Sequence, residues 1–188
     1  DVFLPEENYK KAEKNILEII RNLYKDKHIE DLPSNFLYNI GTSINERCIL
    51  SVAANNKIPI FVPAFSDSEL ALNLILYGKK EGYDFHFDIL GDVKKFADII
   101  KNSKMSGTLI IGGGVPRNWV QQIFPLLDKI DHVENAGYDY CVRIHTAVEY
   151  DGGLSGGTIS ESKSWGKYAT DSKNVSVWCD ATIALPLL

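Results

Sequence analysis

The chain has 188 residues, of which 45% are hydrophobic, and it carries a formal net charge of -5. This length and apolar content suffice to bury a core, and we expect one domain. A negative net charge without a lysine or arginine run excludes nonspecific nucleic-acid binding, which needs a basic face. No apolar run approaches the roughly 20 residues that cross a bilayer, and no secretory signal is present, so we expect a cytoplasmic protein without a membrane span.

The cysteines and the chain ends add two expectations. Cys48, Cys141 and Cys179 are odd in number and far apart, without a CxxC pair, which predicts reduced core thiols and neither a disulfide framework nor a metal site. The chain starts at Asp1 rather than at a methionine, and it stops within the apolar run ATIALPLL. We therefore expect a piece of a longer protein or one product of cleavage.

Helical patterns dominate the beginning of the chain. The segment PEENYKKAEKNILEIIRNLYKDK has acidic residues at its start, basic residues at its end and apolar residues at helical spacing, which predicts a helix from about Glu6 to Tyr24. Shorter helical patterns follow in SNFLYNIGTSI and NERCILSVAANN. The run KIPIFVPAF is rich in β-branched residues and bounded by prolines, which predicts a buried strand.

From there on, helices alternate with strands. Helices are predicted at DSELALNLILYGKK, DVKKFADIIKNS, PRNWVQQIFPLLDKI and around SESKSWG, with the start of another at the C-terminus; strands are predicted at DFHFDI, GTLIIGG, YDYCVRIHT and VSVWCD. Such alternation indicates parallel pairing, because a parallel connection must cross over a sheet face. The predicted fold is α/β, with a Rossmann-like, open, mostly parallel sheet and helices on both faces, in a single domain over residues 1–188.

In a sheet of this kind, ligands bind beyond the carboxyl ends of the strands. The residues that follow the predicted strands are therefore candidate ligand contacts: Asp67, Gly112, Gly113, Gly114, Thr146, Ala147, Asp151, Asp180 and Ala181. Three glycines between a strand and a helix let a phosphate or sugar approach the backbone, although they also suit a plain turn. The aspartates are equally suited to capping helices, but together with the glycine tract they indicate a nucleotide-like cofactor.

The segment DGGLSGGTISESKSWGKY, residues 151–168, is the second candidate site. Glu161 and Trp165 suit a cationic ligand, the first through charge-assisted hydrogen bonds and the second through cation–π attraction. Lys167 is an amine that becomes a nucleophile able to form imines once it is enclosed near other cations. Two of these residues also have an interpretation without function: Trp165 as a core residue and Lys167 as a solvated surface charge.

Together these segments resemble the deoxyhypusine synthase family. GTLIIGGGVP, HTAVEYDGGLSGGTISESKSWGK and CDATIALPLL are similar to the C-terminal part of those enzymes, and LPEENY and IPIFVPAFSDSEL fit the same register upstream. The resemblance spans essentially the whole chain. The SWGK motif, at a fixed distance behind the DGG-SG loop, is highly specific.

The resemblance implies an NAD-dependent transfer of the aminobutyl group of spermidine to a lysine of the hypusine-bearing translation initiation factor, through an imine on Lys167. NAD is expected to take hydride from spermidine first, and the reduced cofactor to return it at the end. The residues implied for NAD binding are Asp67, Gly112, Gly113, Thr146, Ala147, Asp151, Asp180 and Ala181. The residues implied for binding the amine are Gly152, Ser155, Gly156, Glu161, Trp165 and Asn118.

Three residues depart from the eukaryotic members. Leu72 and Leu154 stand where those enzymes have acidic residues, and Asn118 stands where they have a histidine, whereas GGGVPRNW and GGLSG resemble the archaeal and bacterial members. Fewer carboxylates weaken the grip on a polycation. A related polyamine enzyme, homospermidine-forming or agmatine-using, and a catalytically silent subunit of an active paralogue are therefore alternatives.

The resemblance also bears on assembly. The N-terminal part of the full-length relatives, which supplies further cofactor-binding residues and part of the sheet, has no counterpart in this chain. We expect a complementary N-terminal chain or a paralogue to complete the cofactor pocket. By the same resemblance we expect a tetramer with active sites shared across subunits.

Overall fold

The structure is a computed structural model that describes residues 3–132 and 136–188, except for the side chain of Asp151. The chain divides into two compact units, Asp1–Asp92 and Val93–Leu188, and each is described by itself. The predicted α/β class is confirmed, because every described strand pairs parallel to its neighbour and helices connect the strands. The described strands form two small sheets, one in each unit, where one sheet was predicted. A single domain over residues 1–188 stays a prediction.

The first unit combines helices with a two-stranded parallel sheet. Its elements are α1 (Glu6–Leu23), β1 (His28–Asp31), α2 (Pro33–Ser43), α3 (Ile49–Asn55), α4 (Glu69–Glu81) and β2 (Asp84–Phe87), and α5 (Ile89–Lys101) continues into the second unit. The core of the unit is an apolar cluster built from these elements and from the segments between them: Ile20, Ile29, Phe36, Ile40, Phe65, Leu74, Tyr77 and Tyr83. The predicted first helix is confirmed to within one residue.

One prediction for the first unit is wrong, and one strand of this unit was not predicted. The strand predicted at KIPIFVPAF is absent: residues 58–64 are irregular, and Ile58 is 57% exposed. The reason is chemical, because Pro59 and Pro63 lack the N–H groups that the interior of a sheet ladder requires. The structure instead pairs β1, which the sequence did not predict, with β2.

The second unit is a three-stranded parallel sheet with helices. Its strands are β3 (Gly107–Ile111), β4 (Tyr138–His145) and β5 (Tyr168–Trp178), in the order β3-β4-β5, and its helices are α6 (Gly114–Gln121), α7 (Ile123–Asp131), α8 (Ile159–Ser164) and α9 (Ala181–Ala184). The core contains Ala97, Ile110, Ile123, Phe124, Leu127, Tyr138, Cys141 and Tyr168. β4 is the central strand, because it pairs with β3 on one side and with β5 on the other.

Other details differ from the sequence predictions. The helix predicted at PRNWVQQIFPLLDKI is two helices that meet at Gln122, because Pro125 cannot donate the hydrogen bond that would continue α6 through this turn. Cys141 is a core thiol as predicted, whereas Cys48 is exposed. Among the described helices, none is both long and apolar enough to cross a membrane.

Candidate active site

The end of α8 determines where Lys167 lies. Gly166, two residues beyond the helix, has a φ of +68°, a left-handed conformation that glycine adopts without strain. The N–H of Gly166 donates to the carbonyl of Lys163 (2.9 Å), and the N–H of Lys167 donates to the carbonyl of Ser162 (3.1 Å). These two bonds are those of a Schellman motif. The glycine before Lys167 therefore ends the helix and directs the chain into β5.

The amine of Lys167 is enclosed by groups from other elements. Its Nζ donates a hydrogen bond to Oδ1 of Asn118 in α6, at 2.9 Å. Burial lowers the pKa of Lys167, and the nearby Arg117 charge lowers it further, while Glu161 acts in the opposite direction. A half-buried amine with a lowered pKa loses its proton more readily than a solvated lysine. This favours the interpretation of Lys167 as a nucleophile over its interpretation as a solvated surface charge.

A cavity of about 800 Å³ opens beside this amine, within the second unit. Its lining includes the following predicted site residues: Asn118, Gly152, Glu161, Trp165 and Lys167. Trp165 is 68% exposed and is therefore not a core residue. The indole, the Glu161 carboxylate and the Lys167 amine share one cavity, as an amine-binding site requires.

Ser155 and Gly156 have packing contacts. A Cβ on Gly113 would come within 3.0 Å of the Cα of Ser155, so the glycine tract lies against the loop that contains Ser155. A Cβ on Gly156 would come within 2.6 Å of the carbonyl oxygen of Val148, which only glycine avoids. The two glycine-rich segments, predicted as separate sites, are thus in direct contact.

Arg143, which was not predicted from the sequence, joins these two segments through hydrogen bonds. It lies two residues before the end of β4 and is only 2% exposed. Its Nε donates to the carbonyl of Gly112 (3.3 Å), its Nη1 to that of Gly157 (2.8 Å), and its Nη2 to that of Ser155. One guanidinium therefore ties the glycine tract to the loop beside the cavity. A lone arginine in the apolar strand sequence YCVRIH is the signal that could have revealed it.

Arg117 is the second residue that was missed. This side chain of α6 is 7% exposed, donates from Nη1 to the carbonyl of Leu154 (3.0 Å) and from Nη2 to Oγ of Ser162 (3.1 Å), and lines the cavity. Because it bonds α8 and the loop at once, it holds a positive charge near Lys167. This is the charge that helps to lower the pKa of the lysine.

The ends of β3, β4 and β5 meet at one edge of the sheet. The N–H of Gly112 donates to the carbonyl of Ile144 (2.7 Å), and the N–H of Cys179 donates to that of His145 (3.2 Å). The predicted cofactor positions that follow these strands therefore come together: Gly112, Gly113, Thr146, Ala147, Asp180 and Ala181. These residues follow the strand ends, as the sequence predicted, and their contact with a cofactor stays a prediction.

This edge fits a dinucleotide in two respects. Gly112 has a φ of +81° with open space where a side chain would be, so a ligand can approach its backbone. Asp180 caps α9, since Oδ1 accepts from the N–H of Thr182 at 2.8 Å, and its second carboxylate oxygen is left for a ligand hydroxyl. The capping interpretation and the cofactor interpretation of Asp180 are therefore compatible.

Two predicted cofactor residues are not placed at this edge. Asp67 ends a 3₁₀ turn, Phe65–Asp67, in the first unit, so its proximity to the sheet edge of the second unit stays a prediction. The side chain of Asp151 lies outside the described residues.

The fold and site define an α/β protein with a glycine-containing edge on a parallel sheet and a half-buried lysine in a cavity of the same unit. The sequence profile of the family "Deoxyhypusine synthase" matches residues 1–188. The chain therefore belongs to the deoxyhypusine synthase family.

Individual relatives agree with this assignment. The chain is 34% identical over 190 residues to "Probable deoxyhypusine synthase 1" of Methanosarcina mazei and 36% identical over 192 residues to the protein of the same name from Archaeoglobus fulgidus. All of this chain is covered in both cases, but only 56% and 58% of the relatives, so the chain spans a little over half their length. A crystal structure of a candidate deoxyhypusine synthase from Entamoeba histolytica matches with a TM-score of 0.69 and 21% identity, over 98% of this chain and 54% of that one.

Proposed function

We propose that this chain contributes the catalytic lysine of an NAD-dependent deoxyhypusine synthase, which transfers the aminobutyl group of spermidine to a lysine of the hypusine-bearing translation initiation factor. The observation that carries the proposal is the half-buried Lys167 amine, with its lowered pKa, in one cavity with Glu161 and Trp165. Membership of the family supports the reaction class.

The residues of the chain have distinct roles in this proposal. Glu161 and Trp165 hold the cationic amine. After the amine has been oxidised to an imine, unprotonated Lys167 attacks the imine carbon. The remaining diamine leaves, so that the aminobutyl group is held as an imine on Nζ. Asn118 orients Nζ through its amide oxygen. NAD, held at the glycine edge, would supply the acceptance and return of hydride.

Borohydride trapping tests this proposal. The chain, in the assembly in which it purifies, is incubated with NAD and spermidine and then reduced, and the modified peptide is identified by mass spectrometry. We expect the added mass on Lys167 and its loss in Lys167→Arg, because a guanidinium remains protonated. Lys163→Arg is the matched control, since Lys163 lies four residues earlier and donates to backbone carbonyls of β5. Labelling of another lysine, or an unaffected Lys167→Arg variant, contradicts the proposal.

A related polyamine enzyme without a protein substrate is the second candidate. The cavity lining contains Leu154, and apart from the unprotonated Lys167 its described cations, Arg117 and Lys129, equal its carboxylates, Glu149 and Glu161, in number. A pocket with this balance favours an amine that carries fewer charges than spermidine. The trapping experiment separates the candidates when agmatine or putrescine replaces spermidine, and when the translation factor is omitted. Turnover without the factor favours the second candidate.

We also propose that a second polypeptide, a complementary N-terminal chain or a paralogue, covers the sheet of the second unit. One face of this sheet exposes six apolar side chains in neighbouring register positions: Leu109, Ile111, Tyr140, Val142, Val175 and Val177. An apolar face of this size is normally covered by protein. A tetramer of completed units is expected. Light scattering with denaturing electrophoresis tests this, and a 21 kDa monomer that binds NAD fully argues against it.

A further inference from the structure

Three side chains with metal-ligand chemistry converge on the exposed face of the first unit's sheet. His28 lies opposite Asp84 in the parallel register of β1 and β2, and His86 lies two residues beyond Asp84 on the same face. Nδ1 of His28 and Nε2 of His86 are each 3.0 Å from the same carboxylate oxygen, Oδ2 of Asp84. All three ligand atoms lie within 4.8 Å of one another.

These distances suit a metal ion as well as they suit hydrogen bonds. Zinc binds imidazole nitrogen and carboxylate oxygen at about 2.0–2.2 Å, which places neighbouring ligand atoms of a tetrahedron about 3.3–3.6 Å apart. The two 3.0 Å spacings need only small rotations of exposed side chains to reach this value.

We propose that His28, Asp84 and His86 form a binding site for a divalent transition-metal ion, with Zn²⁺ as the fitting probe. Two imidazoles and one carboxylate supply three ligands, and water occupies the open position toward solvent. Because β1 supplies one ligand and β2 supplies two, a bound ion clamps the two strands. The folded first unit is thereby stabilised over its unfolded state. The site shares no residue with the lysine cavity, and the proposal does not rest on the proposed reaction.

Calorimetric titration of the metal-stripped chain with Zn²⁺ tests the site, in the assembly in which the chain purifies. We expect saturable binding that weakens about tenfold or more in His28→Ala, Asp84→Asn and His86→Ala, because each variant removes one ligand. All three side chains are exposed, so these variants retain the fold. Mg²⁺ should not compete, since it prefers an octahedron of oxygen ligands.

Two control variants make the result specific. His132→Asn removes an exposed imidazole at a left-handed position that asparagine tolerates, and Cys48→Ser removes an exposed thiol that could capture zinc. Both controls should bind Zn²⁺ as the unaltered chain does. A second readout is thermal unfolding followed by circular dichroism. Zn²⁺ should raise the unfolding midpoint of the unaltered chain and of the two controls, but not that of the three ligand variants. Absence of zinc binding, or binding that survives in His28→Ala and His86→Ala, overturns the proposal.

Discussion

Replacing Arg143 by methionine tests whether one buried guanidinium holds the two glycine-rich segments together. Methionine occupies much of the same space but donates no hydrogen bond, so the carbonyls of Gly112, Ser155 and Gly157 lose their charged donor. Each of these partly buried acceptors costs up to about 1–3 kcal/mol when it is left without a partner, and relief of the buried charge offsets part of the sum. We expect the free energy of unfolding to fall by about 3 kcal/mol.

The chain offers a built-in probe for this measurement. Its three tryptophans, Trp119, Trp165 and Trp178, all lie in the second unit, so urea unfolding followed by tryptophan fluorescence reports on the unit that contains Arg143. Lys173→Met, a cation-to-methionine change at an exposed position of β5, is the control and should change stability by about 0.5 kcal/mol or less. If Arg143→Met is as stable as Lys173→Met, the three hydrogen bonds do not hold the segments, and the reasoning is refuted.

The remaining predictions concern the lysine and its turn. Asn118→Asp places a negative charge at the atom that accepts from Nζ of Lys167, so the pKa of Lys167 should rise. The pH profile of reductive alkylation at this lysine then moves to higher pH, and an unmoved profile, or an equal shift in Gln122→Glu elsewhere in the cavity lining, contradicts the assignment. Gly166→Ala should cost about 1 kcal/mol of unfolding free energy from backbone strain alone, because no atom lies within 4 Å of the added Cβ. Gly166→Asn should cost less, and an alanine variant as stable as the unaltered chain argues against the strained turn.

Elements with a strong local signal were predictable from the sequence. α1 has apolar residues at helical spacing and charges that match its dipole, and the structure places it within one residue of the prediction. β1 had no such signal, because in the four residues HIED only Ile29 is buried and the others are polar. Its pairing with β2, 56 residues later, supplies the backbone hydrogen bonds that the local sequence does not encode. KIPIFVPAF is the opposite case, because a strand was predicted there and none forms. Its β-branched side chains favour a strand, but its two prolines cannot donate to a sheet ladder.

The site shows the same contrast between local sequence and distant contacts. The position of Lys167 depends on its local sequence, whereas its reactivity depends on residues far away in the chain. The sequence predicts a helix around SESKSWG, and the structure shows that α8 ends at Ser164 in a turn at Gly166, so residues 162–167 set the path of the backbone. The chemistry of the amine depends on Arg117 and Asn118, which lie about 50 residues earlier in the chain and reach the lysine only because α6 packs beside α8. A lysine motif therefore identifies the proposed nucleophile, whereas the proton affinity of this lysine is a property of the folded unit. Mutations in α6 should consequently alter the pH dependence of Lys167 while leaving the SWGK sequence unchanged.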